Sequence, residues 1–85
     1  MSPLIINGRT EKELLKACLQ GDRTTQRDIF HIYAGKMMAI CIRYARHRHK
    51  AEDILQDSFV KVFTHLCEFE NNGSFEGWVR RIIIN

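Results

Sequence analysis

No apolar run in this chain of 85 residues approaches the length that spans a membrane. Met1–Arg9 carries one charged side chain and a short apolar patch, Leu4-Ile5-Ile6. That is too short and too weakly basic for a signal peptide, and residues 1–10 are expected to form a loose terminal arm. Cysteine is sparse. Cys18, Cys41 and Cys67 are odd in number, widely separated, and form no CxxC pair. This excludes a disulfide framework, and all three are expected as buried free thiols in a reducing cytosol. Neither His47-Arg48-His49 nor His65-Leu66-Cys67 has zinc-ligand spacing, and on a helix His65 and Cys67 would point roughly 200° apart. A phosphate-cradling glycine loop, a nucleophile elbow and an HExxH motif are all missing. The carboxylates Glu52, Asp53 and Asp57 sit on a helix expected to be solvated, with nothing to raise their pKa. No metal, no cofactor and no enzymatic activity are therefore expected. Asn72-Gly73-Ser74 fits a glycosylation acceptor, but nothing else suggests secretion.

What is present fits a single small domain. At 45% hydrophobic and 27% charged the chain is globular rather than disordered, and it has no internal repeat or low-complexity segment. The formal net charge of +3 is modest, but its distribution is uneven. Arg43, Arg46, Arg48 and Lys50 cluster with His47 and His49 between them, and Arg80 and Arg81 form a second group. A helix C-terminus favours such cations, and so does a nucleic-acid partner. Composition leaves both readings open.

The spacing predicts four helices. Thr10 and Glu13 make a capping-box pattern for the first, with Leu14, Leu15, Cys18 and Leu19 as its apolar stripe and Gly21 as its stop. Asp22 caps a long second helix, expected over 23–46. Its stripe is Ile29, Phe30, Tyr33, Met37, Ile40, Cys41 and Tyr44, and Gly35 is a weak point that would suit a close helix crossing. The third helix is expected to start near Lys50 with His49 or Lys50 as a poor cap. It covers Ala51–Cys67, a stretch without glycine or proline. Ala51, Leu55, Phe59, Val62 and Leu66 share one face, flanked by Ile54 and Phe63. The other face reads Asp53, Gln56, Asp57, Val60, Lys61 and Thr64. A helix dipole explains Glu52, Asp53 and Asp57, but not a glutamine and a valine among them. Residues 69–73 read as a loop, and Ser74 caps a fourth helix with Phe75, Trp78, Val79, Ile82 and Ile83 on its apolar side. That helix is expected to be truncated at Asn85, because the sequence stops inside an apolar helical run with no capping signal. The fold class is all-α, a compact bundle of four helices over 11–85.

The run Ala51-Glu52-Asp53-Ile54-Leu55-Gln56-Asp57-Ser58-Phe59 resembles region 2.2 of the bacterial RNA polymerase sigma factors, especially the extracytoplasmic-function (ECF) group. Ser74-Phe75-Glu76-Gly77-Trp78-Val79-Arg80-Arg81-Ile82-Ile83-Ile84-Asn85 resembles region 2.4. Gly21-Asp22 followed by Ile29-Phe30 and Tyr33 resembles the first long helix of the same domain. The likeness runs from about Glu11 to Asn85, and two motifs at the right separation are far more specific than one.

The resemblance implies domain 2 of an ECF-type sigma factor, cytoplasmic and not an enzyme. Its partners would be the β′ clamp helices of RNA polymerase core and the non-template strand of the promoter −10 element, which it helps to melt. An anti-sigma factor is implied as a further partner, and a membrane is not. Asp53, Gln56 and Asp57 would carry the polymerase contact, with Val60 packing at its centre. Lys61, Arg80 and Arg81 would hold the DNA backbone, and Asn85 would contact the displaced strand. In the family the loop after the third helix captures a flipped base. Phe69, Asn71 and Asn72 offer an aromatic wall and amide groups for that task, although a lone Phe69 also fits the core. Trp78 matches a largely structural position and is expected in the core. Beyond Asn85 the family has a linker and a second helical domain. Two alternatives belong to other classes: a helical protein-interaction module, and a helix-turn-helix regulator that reads duplex DNA with its fourth helix. Preference for a single strand, for duplex or for neither separates the three.

Overall fold

The computed structural model describes residues 5–6, 8–70 and 73–85. Two short segments, β1 (Ile5–Ile6) and β2 (Arg9–Thr10), pair antiparallel, with Ile5 opposite Thr10. Part of the segment expected as a loose arm is thus tied back to the start of the first helix. The elements described after it are all helices: α1 (Glu11–Leu19), α2 (Arg23–Ala45), α3 (Arg48–Thr64), a 3-10 turn (Leu66–Glu68) and α4 (Phe75–Ile84). The all-α bundle of four helices expected from the sequence is the fold observed.

Local chemistry sets the helix ends. The Thr10 N–H donates to Glu13 Oε1 (3.2 Å) and the Glu13 N–H donates to Thr10 Oγ1 (3.2 Å), closing the capping box. The bonds that the Thr10 N–H and hydroxyl donate to the Glu13 carboxyl hold it below its ordinary pKa. At the far end of α1 the Gly21 N–H donates to the Cys18 carbonyl and the Asp22 N–H to the Ala17 carbonyl, both at 3.1 Å. This Schellman arrangement needs the φ of +88° that Gly21 supplies. Asp22 serves both helices, since its Oδ1 accepts from the Thr24 N–H (3.1 Å) and its Oδ2 from the buried Thr25 hydroxyl (2.8 Å). The bonds from Thr25 are the main reason its pKa is lowered.

The core joins all four helices. Leu14 of α1, Ile29 and Met37 of α2, Leu55, Phe59 and Val62 of α3, and Phe75 and Val79 of α4 are buried together. Fully burying side chains of this kind contributes about 1.5–3 kcal/mol each. Phe59 meets Phe30 edge-to-face at 5.0 Å between ring centroids. Tyr33 packs on Phe75 at 5.4 Å, and its hydroxyl donates to Glu11 Oε1 at 3.1 Å. Burial, reinforced by Glu11, pushes the Tyr33 pKa well up. Among the described residues no buried side-chain polar atom lacks a hydrogen-bond partner.

Several expectations are corrected. The third helix begins at Arg48, not near Lys50, and His47 caps it, with Nδ1 accepting from the Lys50 N–H at 3.4 Å. An imidazole can do this because one ring nitrogen of neutral histidine is an acceptor. Leu19 and Tyr44, expected in apolar stripes, are exposed at 54% and 62%; both lie in the last turn of their helix, and Tyr44 borders an open hollow with Arg80 and Ile84 rather than the core. Nothing lies within 4 Å of where a Cβ on Gly35 would sit, so no helix crosses closely there. Cys67 is exposed, whereas Cys18 and Cys41 are buried. The third helix stops at Thr64, and the tighter 3-10 turn carries Leu66 into the core and Cys67 outward.

Burial also raises the Cys18 thiol pKa to about 11 and pushes Cys41 up, so neither forms thiolate readily at neutral pH. A thiol reagent should therefore label Cys67 quickly in the native protein and Cys18 and Cys41 only in denaturant. Mass spectrometry of the labelled peptides checks this, and slow labelling of Cys67 would refute its placement.

Candidate functional site

Two surfaces hold the residues picked out from the sequence. The first is the outer side of α3. Burying Leu55, Phe59 and Val62 turns Asp53, Gln56, Asp57 and Val60 to solvent, and Val60 is 65% exposed, a large apolar side chain left in water. Gln56 and Val60 edge a shallow hollow of about 370 Å³ along the α2–α3 seam. Phe30, Phe59 and Phe63 form its apolar base, and Arg23 and Arg27 of α2 stand on the far rim. The seam is thus basic along its α2 rim, apolar at its base, and edged on the α3 side by Gln56 and Val60. Arg48 and Glu52 pair across one helical turn at 3.1 Å near its end.

The second surface lies where the connector after α3 meets α4. Phe69, at the end of the 3-10 turn, is half-buried. Its ring packs against Phe75 at 5.6 Å and Trp78 at 5.4 Å. Beside this aromatic stack is a cavity of about 220 Å³, lined by Glu68, Phe69, Glu70, Gly73, Ser74, Gly77, Trp78 and Arg81. Gly77 matters to its shape. The Gly77 N–H donates to Ser74 Oγ at 2.9 Å, and an added Cβ would sit 2.9 Å from that oxygen, so a side chain here would disturb the cap. Trp78 and Arg81 also border a second hollow of about 460 Å³, with Lys61, His65, Glu68, Ile82 and Asn85. His65 Nδ1 lies 2.7 Å from Glu68 Oε2 on its wall.

The structure therefore brings Lys61, Phe69, Arg81 and Asn85 to one side of the molecule. It does not bring Arg80 there. Arg80 lies on another side of α4, lining a hollow with Ile40, Arg43, Tyr44 and Ile84. Asn71 and Asn72 lie outside the described residues. Trp78, expected in the core, is half-buried and borders both hollows. Its place was readable in retrospect, because Trp78, Arg81, Ile82 and Asn85 recur at three- and four-residue steps. Glu68 and His65 were also missed. Their position depends on the change from α-helix to 3-10 turn, which side-chain periodicity does not signal. Among the described residues no group of three or more His, Cys, Asp or Glu could hold a metal ion. No described helix is long and apolar enough to cross a membrane.

The family model described as Sigma-70 region 2 matches residues 29–85. The chain belongs to the sigma-70 region 2 family. Over 74 residues it is 34% identical to the ECF RNA polymerase sigma factor SigW of Bacillus subtilis (strain 168), covering 87% of this chain and 40% of that protein. It is 28% identical over 76 residues to the ECF RNA polymerase sigma-E factor of Haemophilus influenzae, with 89% and 40% covered. It is 25% identical over 75 residues to the RNA polymerase sigma-H factor of Pseudomonas aeruginosa, with 88% and 39% covered. No solved structure matches. The resemblance to the ECF group is borne out, and these relatives are named as sigma factors, not as enzymes. This region 2 chain spans about 40% of the length of those relatives.

The aromatic stack makes one structural role measurable. Phe69→Ala should destabilise the region 2 domain by about 1–2 kcal/mol, less than the cost at a fully buried site, because the ring is only partly covered. Thermal unfolding followed by circular dichroism checks this, and an unchanged melting temperature would mean that Phe69 does not hold the connector.

Proposed function

We propose that this region 2 domain recognises the promoter −10 element by taking one base of the non-template strand into the cavity beside Phe69 and Trp78. The observation that carries the reading is the pairing of an aromatic-walled cavity with cations on one flank only. A base removed from a duplex loses a few kcal/mol of stacking and pairing, and stacking on an aromatic ring returns about 1–3 kcal/mol. Lys61 and Arg81 border the neighbouring hollow, where they would receive the phosphates on either side of that base, and Asn85 would reach the displaced strand. In the cavity lining Arg81 stands with the carboxylates of Glu68 and Glu70, so there is no excess of cations to draw a phosphate into it, which suits a neutral base. Asn71 and Asn72 supply amide groups for the base edge. Holding the strand in this way favours the melted over the paired promoter.

The same domain docks on the β′ clamp helices of RNA polymerase core through Asp53, Gln56, Asp57 and Val60. An apolar Val60 within a polar rim is the usual anatomy of an interface. An anti-sigma factor would act by covering either surface.

Both halves are testable. Asp53→Ala or Gln56→Ala should weaken binding to a β′ clamp-helix fragment, by on the order of 2 kcal/mol if either is a hot spot, with the helical circular dichroism intact. Unchanged binding in both variants moves the contact elsewhere. Replacing Asn71 or Asn72 should flatten the preference among single-stranded oligonucleotides, measured with polymerase core present. Arg81→Ala should instead weaken all of them nearly equally and lower the salt slope. Uniform weakening by the loop variants would refute the base cavity, and a preference for duplex over single strand would favour a helix-turn-helix regulator.

A further inference from the structure

The corner where α2 turns into α3 breaks three local rules at once. Arg46, which ends α2, has a φ of +68°, in the left-handed region where a side chain is strained and glycine is common. The first turn of α3, Arg48-His49-Lys50, contains no acid, so its cations face the positive end of the helix dipole. Arg43 and Arg80 line a hollow of about 430 Å³ whose other walls, Ile40, Tyr44 and Ile84, carry no carboxylate. The ion pairs among the described residues are Lys36–Glu76, Arg48–Glu52 and His65–Glu68, so Arg43, Arg46 and Arg80 take part in none. From Met37 to Ala51 the sequence has no acidic residue at all.

The dipole at the end of α2 accounts for Arg43 alone. It does not account for Lys50 at the opposite pole of the next helix, where Arg48 has Glu52 as its partner, or for a strained arginine between the two helices. The crowding of these cations is relieved by negative charge supplied from outside, and local rules broken together mark a functional surface more often than a packing accident. The cations run from the hollow between α2 and α4, around the turn, into α3. A regularly charged polymer suits that spread better than one carboxylate does, and guanidinium forks match phosphate oxygens.

We propose that this corner holds the phosphate backbone of a DNA duplex, separately from the cavity beside Phe69. The proposal rests on the reading of the domain as promoter-binding, and adds duplex DNA on one side of α4 to single strand on the other. Arg80 then belongs to the duplex contact and Arg81 to the strand contact.

Fluorescence anisotropy of a blunt-ended DNA duplex with the 85-residue chain, over a salt series, tests this. Arg43→Gln and Lys50→Gln should each lower the slope of log affinity against log salt by about 1. Lys12→Gln and Lys16→Gln remove the same charge from exposed positions of α1 and should leave the slope unchanged. Arg46→Gly should weaken duplex binding while raising the melting temperature by a few degrees, because strain leaves with the charge. Equal losses from the α1 and corner variants overturn the proposal, as does duplex binding indifferent to the corner variants. Corner variants that lose polymerase core but keep duplex also overturn it, and assign the corner to an acidic protein segment. Sequence preference among single strands reads the Phe69 cavity independently. Its absence with duplex binding retained would sink the base cavity and leave the corner standing.

Discussion

The packing of α3 against α2 is the constraint on which the rest depends. Phe59 sits edge-to-face on Phe30, with Leu55 and Val62 buried on either side of it. A helix has one angular degree of freedom once its axis is placed, and this contact removes it. What α3 shows to solvent follows without further choice: Asp53, Gln56, Asp57 and Val60 face outward because Leu55, Phe59 and Val62 cannot. The seam beside them inherits its apolar base from the same aromatic rings, so the hydrophobic core and the candidate docking face are two sides of one helix.

The second surface is built differently. It depends on a change of helical pitch at His65, which ends α3 and starts a 3-10 turn. That turn sends Leu66 inward and delivers Phe69 to the rings of Phe75 and Trp78. Phe75 and Val79 anchor α4 in the core, and the Ser74 cap sets where its first turn begins. Trp78 is then held at the boundary, packed on Phe69 and Phe75 and bordering both hollows. Phe69 is thus a packing residue that also lines the cavity, as a half-buried ring can do.

Neighbouring residues on a helix need not share a surface. Arg80 and Arg81 are adjacent in sequence but about 100° apart around α4. One meets Arg43 and Tyr44 from α2, the other meets Trp78, Lys61 and Asn85. The two arginines of α4 are consequently divided between two sides of that helix.

Much was legible beforehand, wherever a local rule governs. Apolar periodicity named the buried apolar residues of α3, though not Ser58 among them, and capping chemistry located the ends of α1, the start of α2 and the start of α4, because these depend on side chains within a few positions of one another. The family likeness and the outward set on α3 came from the same run. Elsewhere local rules were insufficient. Leu19 and Tyr44 continue their stripes correctly yet remain exposed, because a stripe does not say whether another element covers its last turn. Cys67 faces out because a pitch change rotates it, and nothing in its spacing signals that change. The sequence by itself determined four helices, their inward faces and their family. Only tertiary structure decided which exposed residues meet, since the side on which α4 packs against α2 and α3 is set by long-range burial rather than by order along the chain.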